Sequence, residues 1–496
     1  MSKVSKKMTR IYSRLEKILL PFKTLVIIGS YWGDEGKGKI IDLVAPFYDA
    51  VARFSGGAGA GHTLITELLR KFIGHLIPCG VAHKIMCFLA RGEFFDLARF
   101  IAEKADAFRA MDGKLPPIRI DRQSPLWTPW HPIYESYIEY VMGKKKVRTT
   151  GKAIGILSGF AKLRISLLVG HLFMDEKDLR ALLRILYKVC KPNFDQMIEE
   201  GIIRKRDVPG PDKVAKYLLK MAPEIKDDVI DTSWALSNLW KRGKRILLEG
   251  AQAIGLDPQW GTYPYVTSGN CTAAGAALGT GLPPEATTNI MAVFKILPTR
   301  VGAGPFPSEV WDRDKAERWA EKHPELFEEG RTRNRFLEKK LAKINAGTAT
   351  PAELCQYFMV LGDERGATTG RGRSIGLPDL QWLRYMIRIN KPKFLALTRF
   401  DMLSGVRSIQ VVTGYKLDGR RLKPDEMPEP WRLGEVEVIT QTWRCWSEDI
   451  SGCDSFDELP EGAQRFIKRL EKALGVPIVL VGTGAERDAV IVRPTA

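Results

Sequence analysis

The chain has 496 residues, 45% apolar and 27% charged, the composition of a folded protein with a large core rather than a disordered one. Lys and Arg exceed Asp and Glu by 18, which favours anionic ligands; no RNA-binding aromatic signature or zinc-finger spacing accompanies that excess, so nucleic acid is not an expected partner. No apolar run approaches the ~20 residues that cross a bilayer, and the seven cysteines contain no C-x-x-C pair, so a reduced, cytoplasmic setting without membrane or structural zinc is expected.

Residues 1–24 carry seven Lys or Arg against one acid, Glu16. They share the acid-poor character of a transit peptide, but read first as a basic tail or surface helix. "KTLVIIGS" (23–30) is a short apolar run ending in Gly, the pattern of a buried parallel strand. "GKGKIIDLVAPF" then predicts a helix and "AVARFSGG" a second strand, making a βαβ unit. Residues 175–245 are helical in period, and "KRILLEGAQAIGLD" (244–257) returns to strand and loop. The densely charged 311–350 stretch predicts helices in an exposed insertion. "KFLALTRFDML" (393–403) and "GVPIVLVGTG" (475–484) predict two further buried strands. The expected fold is α/β, a large mainly parallel sheet with a P-loop-like loop and helical excursions. A basic tail (1–24) would precede a single domain (25–496) carrying the insertion.

Four stretches carry chemistry. In "GSYWGDEGKGKI" (29–40), Gly33 to Lys39 have G-x-x-x-x-G-K spacing, but Ile40 stands where a P-loop places the Ser or Thr that holds Mg²⁺. Backbone N–H groups at a helix start, with Lys37 and Lys39, still suit phosphate. Asp34 within that loop makes sense if it binds Mg²⁺ or takes a proton. "GGAGAGHT" (56–63) puts His62 at the end of a glycine-dense loop, either a structural histidine or a general acid. "EGAQAIGLDPQWGTYPYVTSGNCTAAGAALGTG" (249–281) mixes small and aromatic residues as a backbone approached closely by ligand would. "GATTGRGR" (366–373) offers two hydroxyls and two guanidinium forks, either a basic turn or a site for carboxylate or phosphate.

In this order "WGDEGKGK", "GAGHT", "TTGK", "EGAQ…GTYPYVTS", "TRVGAGPFP" and "GATTGRGR" resemble the adenylosuccinate synthetase family, from about residue 24 to the C-terminus with 311–350 outside the match. The resemblance implies a GTP- and Mg²⁺-dependent ligase of purine nucleotide synthesis that joins L-aspartate to IMP through a 6-phosphoryl purine. It also answers the Ile40 question, because that family's loop is only P-loop-like and its metal is held by the loop Asp and a backbone carbonyl. Carried over by position, Asp34 resembles the base and metal ligand, His62 the acid, Lys37 a catalytic cation and Gln252 the amide that holds the purine oxygen. One Mg²⁺ per site would also meet the Gly61 carbonyl. Thr150, Thr267, Arg300 and Gln252 would bind the substrate nucleotide, with Arg164 reaching it from the neighbouring subunit of a homodimer. Thr368, Thr369, Arg371 and Arg373 would clamp aspartate. GTP would lie against Gly33, Glu35, Gly36, Lys37, Gly38, Lys39, Gly61, His62 and Thr63, with Arg399, Asp401 and Gly484 around the guanine. Without the resemblance, Asp401 reads as a strand-end carboxylate capping a helix.

This chain departs from the family at several positions. It has "AGAGHT" for "NNAGHT" or "HNAGHT", with Gly59 in place of an Asn that touches phosphate. Losing one hydrogen bond to a charged group costs about 1.5–3 kcal/mol. Arg399 replaces Lys, Lys152 replaces Arg in "TTGR", His171 replaces Asp, and Gly269 and Cys271 alter "TSSNTT". Several of these changes cluster at the nucleotide substrate, so two alternatives stand beside IMP: a 2-amino 6-oxopurine nucleotide such as dGMP, or an inactive nucleotide-binding relative. Retention of Asp34, Lys37, His62 and Gln252 favours activity, and Asp34 itself favours IMP.

Overall fold

Alternate residues of "TLVIIG" belong to two different cores: Val26 and Ile28 pack in one apolar cluster, Leu25 and Ile27 in the other. The period-two pleat produces this division, and it makes the segment a strand covered on both faces. The computed structural model describes residues 3–493 except 60, 66–70, 144–150 and 366–371, and backbone alone for 3–5, 62–65 and 71.

The central sheet has ten strands, numbered in chain order. They are β1 (Thr24–Gly29), β2 (Ala50–Arg53), β3 (Met86–Leu89), β4 (Ile118–Asp121), β5 (Val229–Ile230), β6 (Ile246–Glu249), β7 (Ile290–Lys295), β8 (Phe394–Thr398), β9 (Ile478–Gly482) and β10 (Val490–Val492). Their spatial order is β10-β9-β8-β7-β1-β6-β2-β3-β4-β5, and every pairing is parallel except that of β10 with β9. The expected α/β fold with a mainly parallel sheet is thus observed. Because β1 lies centrally and β6, β7 and β8 run beside it in the same direction, the loops after these strands emerge at one edge, where open α/β sheets bind ligands.

The helix after β1 spans Lys37–Val44. The 175–245 stretch divides into helices Glu176–Glu199, Pro211–Met221 and Thr232–Lys241, interrupted by the two-residue edge strand β5, which pairs with β4. Pairing with a distant strand, invisible to periodicity, takes those two residues out of helix. Helices Arg313–Lys322 and Arg331–Asn345 occupy most of 311–350; Ala316 and Ala320 of the first are buried. A three-stranded antiparallel sheet, Ser408–Leu417, Arg420–Arg421 and Glu437–Arg444, had no counterpart in the sequence reading.

The basic N-terminal segment is not a free tail. Lys3–Leu19 is a helix whose Ile11, Leu15, Ile18 and Leu19 are buried at helical spacing, with Lys7 paired to Asp454 at 2.8 Å. No helix among the described residues is long and apolar enough to cross a membrane.

Candidate functional site

The loop that leaves β1 is shaped by a carboxylate inside it. Glu35 is buried, and its Oε1 accepts from the backbone N–H groups of Tyr31 (3.0 Å) and Gly33 (2.9 Å), while Oε2 meets Lys37 Nζ at 2.8 Å. Both side chains therefore serve the loop's own conformation here, which places the side chain of Glu35, expected beside GTP, inside the protein. The Glu35 carbonyl in turn accepts from Thr398 Oγ1 at 2.6 Å, tying the loop to the end of β8. Asp34 is turned the opposite way: its φ of 60° lies in the left-handed region that Asp tolerates better than most side chains, and its carboxylate is 41% exposed.

Asp34 faces the second loop. Arg373 Nε lies 2.9 Å from Asp34 Oδ2, and its Nη1 donates to Glu364 Oε2 at 3.1 Å. Glu364 is buried against Lys295 Nζ at 2.9 and 3.0 Å. Burial alone would raise the Glu364 carboxyl's pKa, but Lys295 and Arg373 outweigh it and hold it below the usual range. The series Asp34, Arg373, Glu364, Lys295 alternates in charge from solvent into the core, and removing one partner from such a buried pair costs roughly 3–5 kcal/mol. Sequence reading missed Lys295 and Glu364; a lysine closing the buried run of β7 was the available signal. Thr368, Thr369 and Arg371 lie outside the described residues, as does Thr150.

A third approach comes from the loop after β6. An added Cβ on Gly29 would lie 2.6 Å from the Gln252 carbonyl oxygen and 2.7 Å from Glu35 Oε2, so only glycine lets the two loops meet. Gln252 itself has φ 51°, and its buried Oε1 has no hydrogen-bond partner among the described residues. Strain and an orphaned acceptor are what a side chain held for a ligand would show. Gly269 makes a similar approach to the loop after β2, its Cβ position 3.3 Å from Gly56 N. Cys271 is buried and its N–H donates to Asp257 Oδ2 at 2.7 Å, so this departure belongs to the packing of the loop. Thr267 is half-buried in the same segment.

On the other flank, Lys39 Nζ donates to the carbonyls of Gly484 (2.9 Å) and Ala489 (2.8 Å), which joins the helix after the loop to the segment after β9. Burial lowers the Lys39 pKa to about 8, against the attraction of Asp401 and Glu486. Arg399 Nε stands 3.7 Å from Asp401 Oδ2, and the buried Asp401 Oδ1 has no partner among the described residues. Burial raises the Asp401 carboxyl's pKa, with Arg399 opposing. A buried, unsatisfied carboxylate oxygen beside Lys39 and Gly484 suits a ligand that brings N–H donors; it is not merely a helix cap.

Two expected contacts need different descriptions. Arg300 is buried, and its donors are taken within the chain by the carbonyls of Ala303 (3.0 and 2.7 Å), Pro305 (2.9 Å) and Tyr265 (3.0 Å) and by Thr262 Oγ1 (2.8 Å). Its guanidinium is scaffold for the 262–265 and 303–305 loops rather than a free ribose contact. Arg164 is exposed, with φ 63°, just beyond helix Ile154–Lys162. The backbones of Gly61 and of strand His62–Ile65 are described, but the side chains of His62 and Thr63 are not.

For Mg²⁺, the described residues contain no cluster of three His, Cys, Asp or Glu side chains. Mg²⁺ needs no such cage when a substrate supplies phosphate oxygens, and it typically takes one or two carboxylates. The outward carboxylate of Asp34, with the exposed Gly61 backbone, fits that donor set.

The chain is similar to known proteins along nearly its whole length. The family model described as adenylosuccinate synthetase matches residues 26–491. The adenylosuccinate synthetase of Myxococcus xanthus is 34% identical over 473 residues, 94% of this chain and 98% of that protein. The chloroplastic adenylosuccinate synthetase of Chlamydomonas reinhardtii is 34% identical over 480 residues, 95% of this chain and 92% of the relative. The fully ligated adenylosuccinate synthetase structure from Plasmodium falciparum superposes with a TM-score of 0.77 at 29% identity, covering 95% of this chain and 99% of that one. Cyanophage S-2L succinoaminodeoxyadenylate synthetase, bound to dGMP and dATP, superposes at 0.53 with 14% identity over 95% of each chain, a likeness of fold alone.

Proposed function

The chain belongs to the adenylosuccinate synthetase family and is a GTP-dependent ligase that joins L-aspartate to IMP, and we propose that the loops after β1, β6 and β8 and the 364–376 segment supply its active site. The observation that carries this assignment is the 2.9 Å pair of Asp34 and Arg373, which brings the loop assigned to phosphate transfer against the loop assigned to aspartate.

Asp34 takes the N1 proton of the purine, and the O6 thereby made nucleophilic attacks the γ-phosphorus of GTP. The β–γ bridging P–O bond breaks, GDP leaves, and His62 assists that departure as the acid. Phosphorylation converts a poor leaving group at C6 into a good one. The amine of aspartate then forms the C6–N bond, the C6–O bond breaks with release of phosphate, and the amine loses a proton. Gln252 orients the purine, while Arg373, with Thr368, Thr369 and Arg371, clamps the aspartate carboxylates. The loop amides of Gly36 and Gly38 receive phosphate and Lys37 reaches it by leaving Glu35 Oε2, while the Gly33 amide stays with Glu35; Lys39, Arg399, Asp401 and Gly484 hold the guanine side. Positioning and charge compensation supply the rate, as in phosphoryl transfer generally. Asp34 and the Gly61 carbonyl would hold one Mg²⁺, which supplies neutralisation of phosphate charge when bound.

Arg164, exposed and free to reach outward, completes the neighbouring site of a homodimer, and Thr150 and Thr267 bind the 5′-phosphate. We place the reaction in the cytoplasm; the seven unpaired thiols support a reducing compartment. The test is product formation with Mg²⁺, aspartate and GTP, offering IMP and dGMP separately and ATP as alternative donor. Adenylosuccinate from IMP is the expected product; preference for dGMP or absence of turnover would overturn the substrate assignment. Mixing Arg164→Leu with Asp34→Ala chains tests the shared site: recovery of activity in the mixture is expected, and none would refute it.

A further inference from the structure

A second cleft, of about 780 Å³, lies between helix Leu380–Asn390, the antiparallel strands Ser408–Leu417 and Glu437–Arg444, and helix Glu461–Leu474. None of the residues assigned to the reaction lines it. Its wall carries five cations, Arg384, Arg421, Lys423, Arg469 and Lys472, and no carboxylate. Like charges gathered in a concave wall repel one another, and an anion is the ordinary means of offsetting that. Burial lowers the Arg384 pKa and neighbouring Arg421 lowers it further.

Two buried polar atoms distinguish this cleft from a merely basic surface. Trp443 is 3% exposed and its Nε1 has no hydrogen-bond partner among the described residues; Gln381 is fully buried and its Oε1 likewise has none, although its Nε2 donates to the carbonyls of Lys423 (2.6 Å) and Glu426 (2.8 Å). Arg469 covers the Trp443 ring at 4.0 Å and donates to Gln441 Oε1 at 3.0 Å, so the aromatic wall is held in place by one of the cations. Buried groups left without partners are costly, about 1–3 kcal/mol each, and both belong to residues that line the same space.

We propose that this cleft binds a small organic polyphosphate, a ligand with two or more phosphate groups and at least one hydroxyl or amino donor. Five cations match a ligand of several negative charges better than a single carboxylate, and guanidinium forks suit phosphate oxygens. The Trp443 N–H would need an acceptor and Gln381 Oε1 a donor, each reached once the covering side chains, Arg469 over Trp443 among them, move aside; inorganic polyphosphate lacks such a donor at neutral pH. The volume is that of a site for a nucleotide-sized molecule. The cleft shares a helix with the catalytic loop, since Trp382, next to Gln381, donates to the Ser30 carbonyl at 2.9 Å.

Titration calorimetry of the full chain with GTP as probe tests this, since GTP is expected at both the active site and the cleft. Two binding events per chain are expected. The double variant Arg421→Ala, Arg469→Ala should weaken one at least tenfold while leaving kcat and the KM for GTP within twofold of wild type. Lys39→Met should weaken only the other. Lys472→Glu, a single change at an exposed position, should weaken the cleft event at least threefold and guards against a misfolded double variant. Tripolyphosphate should bind the cleft several-fold more weakly than GTP. A single event in the wild type, wild-type binding by the double variant, or loss of the same event in Lys39→Met would overturn the site. Equal affinity for tripolyphosphate would overturn its organic ligand.

Discussion

Arg300 ends the short strand Thr299–Arg300 and Arg373 immediately precedes the strand Ser374–Ile375 that pairs with it; both arginines read as ligand contacts, yet the tertiary structure uses them differently. Arg373 is held by charges, Asp34 on the solvent side and Glu364 on the core side. Such a contact can be exchanged for a charged ligand without stranding a neutral group. Arg300 is held by neutral oxygens, the carbonyls of Tyr265, Ala303 and Pro305 and the hydroxyl of Thr262, and it stands 5.6 Å over the Trp32 ring. Withdrawing it would leave several buried acceptors unsatisfied at once. Arg373, among charges, is available for function; Arg300, with all its donors taken by neutral oxygens, is part of the framework.

The largest expected effect tests the charged side of that comparison. Asp34→Ala should lower kcat by three orders of magnitude or more, beyond the usual 10²–10⁴ for one proton-transfer group if the metal contact goes as well. The fold should persist, because the carboxylate is exposed; circular dichroism and steady-state rates would show both, and appreciable activity would remove Asp34 as the base. Arg300→Leu should act on the framework instead. Stability should fall by about 3 kcal/mol or more, read as a lower urea midpoint, with the remaining folded enzyme losing activity mainly through loop disorder. Unchanged stability would break the distinction between the two arginines.

Arg373→Leu is the complementary case. The KM for aspartate should rise about 10- to 100-fold, the range of one charge-assisted contact at about 1.4–2.8 kcal/mol, with a much smaller change for GTP. An equal effect on both substrates would refute the clamp. The smallest effect is on pH dependence. Burial lowers the Lys39 pKa to about 8, so the charged form disappears as pH rises through that value, and kcat/KM for GTP should fall up to about tenfold per pH unit above it. The linked stability runs the other way: the folded chain holds fewer protons than the unfolded one between about 8 and the ordinary lysine pKa, so stability rises with pH across that window. Lys39→Arg should abolish the alkaline limb in GTP kinetics; its persistence would assign that limb elsewhere.

Much of the sheet was legible because its strands are short apolar runs closed by glycine or polar residues. β1, β2, β6, β8 and β9 fall where "TLVIIG", "AVAR", "ILLE", "FLALT" and "IVLVG" place them. The antiparallel Ser408–Leu417 and Glu437–Arg444 pair escaped because the second strand, EVITQTWR, is exposed along nearly its whole length and mixes polar with apolar residues, leaving no continuous apolar run. The two-residue β5 escaped because its only reason to be a strand is β4, more than 100 residues away.

The sequence by itself determined the βαβ core, the ordered motifs and with them the family, because glycine spacing and apolar period are local properties of the chain. Only the tertiary structure decided which way each charge points. Glu35 turns inward because the amides of Tyr31 and Gly33 close around it, and Asp34, one residue earlier, turns outward to a partner 339 positions on. Lys39 reaches carbonyls 445 and 450 residues distant. The basic cleft joins residues from five separate elements and the 422–424 loop. The free energy of a charge is set by the partners and the solvent around it, and those are assembled by folding rather than by adjacency in the chain.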